Sequence, residues 1–306
     1  MQTLTMYMQY IVNGFTLGAV YALIALGYTM VYGILKFINF AHGDILMLGA
    51  FIGLYVYQAL SGGAQSGAWP LIAFFIAILV SMVCCAILGM LIERIAYKPL
   101  RHANRLAPLL SAIGVSFIIS NGAAWAFGTQ SRRFPYPFQN NPIRLGGVSI
   151  TPHQILVLAV SVIMMVLLTL FVNRTRMGKA MRATSLDQPT SELMGIDVNK
   201  VISLTFAIGS ALAAVGGILA SFDFRVYPSM GTMTGLKAFV AAVIGGIGNI
   251  KGAMLGGVLL GILESVGAPL LHIPNGLKDT IAFVVLIVIL IFKPDGLLGK
   301  NEREKV

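Results

Sequence analysis

Long apolar runs separated by short polar breaks fill almost the whole chain, beginning near residue 10 and ending near residue 292. A run of about 17 to 25 apolar residues crosses a bilayer as a helix, because only a helix or a closed barrel satisfies its own backbone hydrogen bonds there. Spans are therefore predicted near 10–32, 40–60, 69–92, 107–127, 152–172, 201–221, 236–248, 253–270 and 279–293. The seventh and eighth, within "FVAAVIGGIGNIKGAMLGGVLLGILE", are short and glycine-rich and are candidates for broken or re-entrant helices. The expectation is an all-α, polytopic membrane helical bundle of eight or nine transmembrane or re-entrant helices, forming one domain over residues 1–306.

Composition sharpens this picture. Hydrophobic residues make up 57% of the chain and charged ones only 10%, and the mean hydropathy of +0.86 excludes a water-soluble domain of ordinary composition. Of the 21 Lys and Arg residues, fifteen fall in the breaks at 33–39, 93–106, 173–200 and 249–252 and in the C-terminal tail. Six remain for the opposite side: Arg132, Arg133, Arg144, Arg225, Lys237 and Lys278. The positive-inside rule makes the first set cytoplasmic, which leaves the N-terminus periplasmic and the C-terminus cytoplasmic. The net charge of +10 then reads as orientation within a membrane and not as a nucleic-acid surface. The start, residues 1–9, carries no Lys or Arg, and the first apolar run exceeds the core of a leader peptide, so no cleaved leader is expected. Cys84 and Cys85 are adjacent within one run and point apart on a helix, which argues against a disulfide.

Two polar stretches interrupt the pattern. The first, "GILKFINFAHGDILMLGAF" (33–51), sets Asn39, His42 and Asp44 between apolar runs. In one reading residues 40–44 form the first turn of the second span, with Asn39 as N-cap and Asp44 favoured by the helix dipole. In the other, the turn dips into the membrane and lines a substrate path, with Asn39 and His42 offering hydrogen bonds to a zwitterion. His42 and Asp44 have no Ser or Cys nucleophile beside them, and the histidines at 42, 102, 153 and 272 have no metal-ligand spacing. A weak echo links "NFAHGDILMLG" (39–49) with "NIKGAMLGG" (249–257). Pairs of small residues four apart, Gly14 and Gly18, Gly49 and Gly53, Gly252 and Gly256, and Gly257 and Gly261, predict close helix packing.

The second stretch is "NRTRMGKAMRATSLDQPTSELMGIDVN" (173–199), too long for a simple connection. Residues 178–186 are good helix formers. Asp187 can cap a second short helix with Pro189 in its first turn and Gly195 closing it in the left-handed conformation, and Asp197 can cap the next span. Met177, Met181, Leu186, Leu193 and Met194 interleave with Arg174, Arg176, Lys179 and Arg182. A short folded helix with exposed apolar side chains calls for a partner: either lipid headgroups or a groove on a cytoplasmic protein. The capped second helix, with Glu192 and no Lys or Arg from 186 to 198, fits the protein groove better.

These pieces carry a resemblance. "YGILKFINFAHGDILMLGAF" (32–51), "ERIAYKPLR" (93–101), "MGKAMRATSLDQPTSELMGIDVNKV" (177–201) and "LKAFVAAVIGGIGNIKGAMLGG" (236–257) closely resemble the LivH-type permease of branched-chain amino acid ABC importers, from about residue 10 onward. The resemblance implies a partner permease of the LivM type, a periplasmic amino-acid-binding protein, and two cytoplasmic ATPases that bind ATP and Mg. It also implies that the cytoplasmic loop 173–200 is the coupling segment, with Met177, Gly178, Arg182, Asp187, Gln188, Pro189, Leu193, Met194 and Gly195 as its candidate ATPase contacts. Gly195 matches the glycine of the EAA-type coupling motif, but Gln188, Pro189 and Thr190 stand where Glu-Ala-Ala would be, which puts the transfer of the glutamate's role in doubt. No phosphate-cradling loop occurs: the "GK" pairs at Gly178 and Gly299 lack the pattern, so this chain is not expected to hydrolyse ATP. Related permeases carry urea and short-chain amides, which leaves the substrate open. An ion-driven secondary transporter would need ionisable residues deep in its spans, whereas Glu93, Lys237 and Glu264 fall near predicted ends, and an enzyme would need a paired acid-base or metal cluster.

Overall fold

The computed structural model describes residues 2–62, 67–101, 103–104, 106–139, 141–145 and 147–299 of the 306. Eleven α-helices are found among them: α1 (Gln2–Leu35), α2 (His42–Ser61), α3 (Trp69–Ile92), α4 (Leu106–Phe127), α5 (Pro152–Arg174), α6 (Arg176–Leu186), α7 (Gln188–Leu193), α8 (Val198–Asp223), α9 (Met230–Gly245), α10 (Ile250–Leu270) and α11 (Asp279–Phe292). Two three-residue strands, β1 (Ile143–Leu145) and β2 (Val148–Ile150), pair antiparallel between α4 and α5.

Seven helices are long and apolar enough to cross a membrane: α1, α2, α3, α4, α5, α8 and α10. Two more are apolar but shorter, α9 with 16 residues and α11 with 14. At 1.5 Å per residue, α9 reaches about 24 Å, less than a hydrocarbon core of about 30 Å. The short members are thus α9 and α11, not the expected pair 236–248 and 253–270, since α10 starts at Ile250 and runs 21 residues.

Small residues decide which helices lie at the centre. The expected glycine pairs all pack. On α1, Gly14 lies against Gly261 and Ile262 of α10, and Gly18 against Val258. In return Gly257 meets the backbone of Ala22, and Gly261 that of Gly18. Gly49 of α2 packs on Ala214 of α8, and Gly53 on Ile218. A Cβ at any of these glycines would overlap its neighbour, the Ile218 side chain at Gly53 and backbone at the others, where the helices meet as closely as association without a hydrophobic drive requires. α1 is consequently buried almost all round from Ala19 to Met30, while α4 turns Leu110, Phe117, Ile118 and Trp125 outward.

Candidate functional site

After α1 ends at Leu35, the chain turns through Lys36, whose φ of +55° is unusual for a residue with a side chain, and doubles back along α1. α2 then begins at His42, whose ring packs against Tyr28 with centroids 4.5 Å apart and fills the space beside Gly27. Gly27 lies eight residues inside the end of α1, or about 12 Å along its axis. The thiol of Cys85, seven residues inside the end of α3, donates to Ile45 O at 3.7 Å. α2 therefore starts within the layer of the bundle, not at its rim. Gly43 sits directly on Gly231 and Gly235 in the first turns of α9, so two helix N-termini meet at one level. Several first-turn N–H groups are already bonded within the turns, Asp44 N and Ile45 N to Ala41 O, Met230 N to Tyr227 O and Thr232 N to Ser229 O, but each end still carries the positive pole of its helix.

All three sequence-predicted polar residues of this turn are buried, Asn39 and Asp44 at 2% and His42 at 1% exposure. Asp44 lies in the first turn of α2, as expected. Asn39 is not the N-cap: that position is Ala41, in helical conformation and without a side-chain cap, while His42 N donates to Asn39 O and closes the turn through the backbone. The Asn39 side chain instead accepts a hydrogen bond from Tyr97 Oη at 2.7 Å. The echo at Asn249 behaves differently, because its Oδ1 does cap α10, accepting from Lys251 N and Gly252 N. Among the described residues, His42 Nε2 and Asp44 Oδ1 are two of nine buried side-chain atoms without a hydrogen-bond partner.

A second polar cluster escaped the sequence reading. Lys237 and Glu264 do not lie near helix ends. Lys237 is central in α9 and Glu264 lies within α10, and both are buried, at 4% and 2% exposure. Lys237 Nζ is 2.7 Å from Glu264 Oε1 and 2.5 Å from Asp279 Oδ1 at the start of α11, and Tyr21 Oη of α1 donates to Glu264 Oε2 at 3.0 Å. The cluster joins four helices. The span prediction began at 236, but the helix begins at Met230, which moves Lys237 from an end to the middle.

The loop between α5 and α8 is folded, as its caps predict. Thr175 caps α6 through Gly178 N at 3.0 Å, so the helix starts slightly before the expected 178. Gly178 packs on the Val172 carbonyl with no room for a Cβ, and Arg182 donates to that same carbonyl. Asp187 caps α7, accepting from Thr190 N at 3.0 Å and Thr190 Oγ1 at 2.6 Å, and these bonds hold its carboxyl below the usual range. Pro189 stands in the first turn. Gly195 has φ +82°, and Ile196 N closes back on Ser191 O at 3.0 Å, the left-handed termination that was expected. Asp197 caps α8 through Lys200 N at 3.1 Å. Met181 is buried and Met177 half-buried, so these two anchor α6 to the bundle instead of facing a partner. Leu186, Leu193 and Met194 stand 79%, 88% and 79% exposed. Gln188 reaches back to donate to Ile34 O at 2.8 Å, tying α7 to the end of α1. Beside it a cleft of about 500 Å³ opens between the ends of α1 and α5, α6 and the α9–α10 turn, with Lys36, Arg182 and Lys251 on its walls.

Comparison with known proteins shows the family. The family model described as "Branched-chain amino acid transport system / permease component" matches residues 10–290. The high-affinity branched-chain amino acid transport system permease protein BraD of Pseudomonas aeruginosa is 44% identical, covering 98% of each chain. The corresponding permease protein LivH of Escherichia coli is 41% identical, again over 98% of each. Among solved structures, PsaBC from Streptococcus pneumoniae, in complex with Fab, matches with a TM-score of 0.50 and 14% identity over 92% of this chain and 91% of that one, a likeness of fold alone.

Proposed function

The chain belongs to the family of branched-chain amino acid transport permease components, and on that premise we propose that it is the membrane subunit of an ABC importer for branched-chain, aliphatic amino acids. In this reading a periplasmic binding protein delivers the substrate, a LivM-like second permease completes the path, and two cytoplasmic ATPases bind ATP and Mg and drive the cycle. The chain sits in the bacterial inner membrane with its N-terminus periplasmic and its C-terminus cytoplasmic. Orientation rests on the charge asymmetry, which survives the removal of Lys237 from the loops.

The observation that carries the proposal is the capped helix pair α6–α7. Three apolar side chains face away from the bundle on a segment whose own caps, at Thr175, Asp187 and Gly195, leave it no need of further support. Such a surface fits a groove on a soluble partner, and Leu193 and Met194 are its tip. Gln188 and Arg182 connect the surface to α1 and α5, so a displacement of the docked segment pulls directly on two membrane helices.

The start of α2 supports a path for the substrate. Two helix N-termini at one level can receive the carboxylate of a zwitterion, and His42 and Asp44 hold unpartnered polar atoms beside them. Both are buried here, so this part of the path opens only when α2 and α9 move apart.

The test is made on the purified complex. Gly195→Val places a β-branched residue in the left-handed region, and Leu193→Asp puts a charge in the docking contact. Both variants are expected to reach the membrane and pair with the second permease, and to lose ATPase copurification, substrate-stimulated ATP hydrolysis and uptake together. Parental hydrolysis and uptake in both would remove the coupling role and favour headgroup binding by the basic α6. Cysteines at the exposed Leu186 and Gln130 should be labelled only from the cytoplasmic and the periplasmic side respectively. Competition among leucine, isoleucine, valine and urea for uptake decides the substrate class.

A further inference from the structure

The bundle contains a polar connection from the foot of α8, next to the capped loop, to the buried start of α2, and it runs through an irregular turn. After Ile92, α3 continues as a π-helical turn, Glu93–Tyr97, and then as a short 3-10 turn, Lys98–Leu100. Glu93 is fully buried. One of its oxygens pairs with Arg101, and the other accepts from Ser203 Oγ of α8 at 2.6 Å. Arg101 also donates to Asn199 Oδ1 at 2.8 Å. Asn199 and Ser203 are four residues apart, so one face of α8 holds both ends of the Glu93–Arg101 pair, immediately beyond the Asp197 cap that closes the α7 loop.

At the other end of the same turn, Tyr97 is buried between Phe37 and Phe206, with ring centroids 5.3 Å and 5.5 Å away. Its hydroxyl donates to Asn39, three residues before His42. The turn therefore holds the foot of α8 with one hand and the entry to α2 with the other.

π-turns are rare and are found frequently at functional sites. An α-helical closure of the same residues would be the second discrete arrangement that a coupling element needs. Closing this turn to α geometry advances everything after it by roughly one residue, about 100° of rotation and 1.5 Å of rise. That rotation takes the Tyr97 hydroxyl off Asn39.

We propose that Glu93, Tyr97 and Arg101 are positioning residues for transport, relaying movement of the docked α6–α7 segment and the foot of α8 to the start of α2. The relay rests on the coupling role argued above for α6–α7. Tyr97→Phe removes only a hydroxyl and keeps the packed ring. In the complete complex with its ATPases and binding protein, this variant is expected to assemble, bind ATPase and hydrolyse ATP within about twofold of the parent, while substrate carried per ATP falls about threefold to thirtyfold. The Tyr97→Phe/Asn39→Ala double variant should be no worse than the poorer single one, because both remove the same link. Ser203→Ala, which takes one donor from Glu93 and leaves its packing, should lower the same ratio, and it replaces Tyr97→Phe as the deciding variant should that one fail to assemble. A parental ratio of uptake to ATP hydrolysed in the deciding variant overturns the relay, as does strict additivity in the double variant. The two readings fail separately. If Leu193→Asp keeps ATPase binding and uptake, the docking role is wrong; if Leu193→Asp loses both while Tyr97→Phe keeps its ratio, only the relay is wrong.

Discussion

Helices α1 and α4 are similarly apolar, yet the chain uses them in opposite ways. In α1, 83% of the most apolar 18-residue stretch is buried inside the chain, and in α4 only 17%. Hydrophobicity therefore does not say which helix is central in a membrane protein, since lipid satisfies an apolar side chain as well as a neighbouring helix does. Small residues make the difference. Gly14 and Gly18 of α1 each meet α10 backbone, whereas Gly114 and Gly122 of α4 meet nothing within 4 Å. Polar contacts do not follow the same division: α1 carries Tyr21, bonded to the buried Glu264, and Ser111 of α4 donates to Ala96 O at 3.1 Å.

The contrast is easiest to break at the closest approach. Gly257→Val drives a branched side chain into the Ala22 backbone and should leave little folded protein in the membrane, while Gly122→Val in α4 should reach parental levels, measured by quantitative blotting of membranes. Next in size is Lys237→Met, which leaves Glu264 and Asp279 without their shared cation. It is expected to cost about 3 to 5 kcal/mol, read as a lowered unfolding midpoint in detergent, and much of the loss should return in the Lys237→Met/Glu264→Leu pair. Tyr21→Phe removes the hydroxyl that donates to Glu264 and accepts from Lys237 and should cost about 1.5 to 3 kcal/mol by the same measurement. The smallest effect is on α4, where Gly122→Ala should raise stability by about 0.5 to 1 kcal/mol, because an open helical position only gains from the reduced backbone freedom. Destabilisation by Gly122→Ala would mean that α4 is packed as closely as α1.

Most of the fold was legible because bilayer thickness limits helix length. The limits of the long helices agree with the apolar runs to within a few residues, apart from α1, which continues outward to Gln2. The loop helices were legible for another reason: capping is local, so Asp187, Pro189, Gly195 and Asp197 announce their roles within four residues of chain. What stayed hidden depends on partners distant in sequence. Asn39 has the composition of an N-cap, but Tyr97, fifty-eight residues on, holds its side chain. Lys237 and Glu264 looked like residues at span ends until the start of α9 at Met230 brought them inward. No pattern of residue types in "ERIAY" distinguishes a π-turn from an α-turn, so the relay through Glu93 had no local signal. The depth at which α2 begins was equally unreadable, because it depends on the chain doubling back along α1.

The capped loop has a consequence for the timing of assembly. A segment already closed by Thr175, Asp187 and Gly195 gives up little freedom when it meets a surface, so contact does not wait for a folding step and the free energy of contact is not spent on ordering. On the docking role proposed above, encounters with the partner can then be brief and repeated. The same rigidity leaves Leu186, Leu193 and Met194 permanently in water whenever nothing covers them. If the proposed docking holds, a cell that makes this chain faster than the partner that fits it accumulates copies with these three side chains uncovered, so balanced synthesis of the two follows from the exposure of three residues.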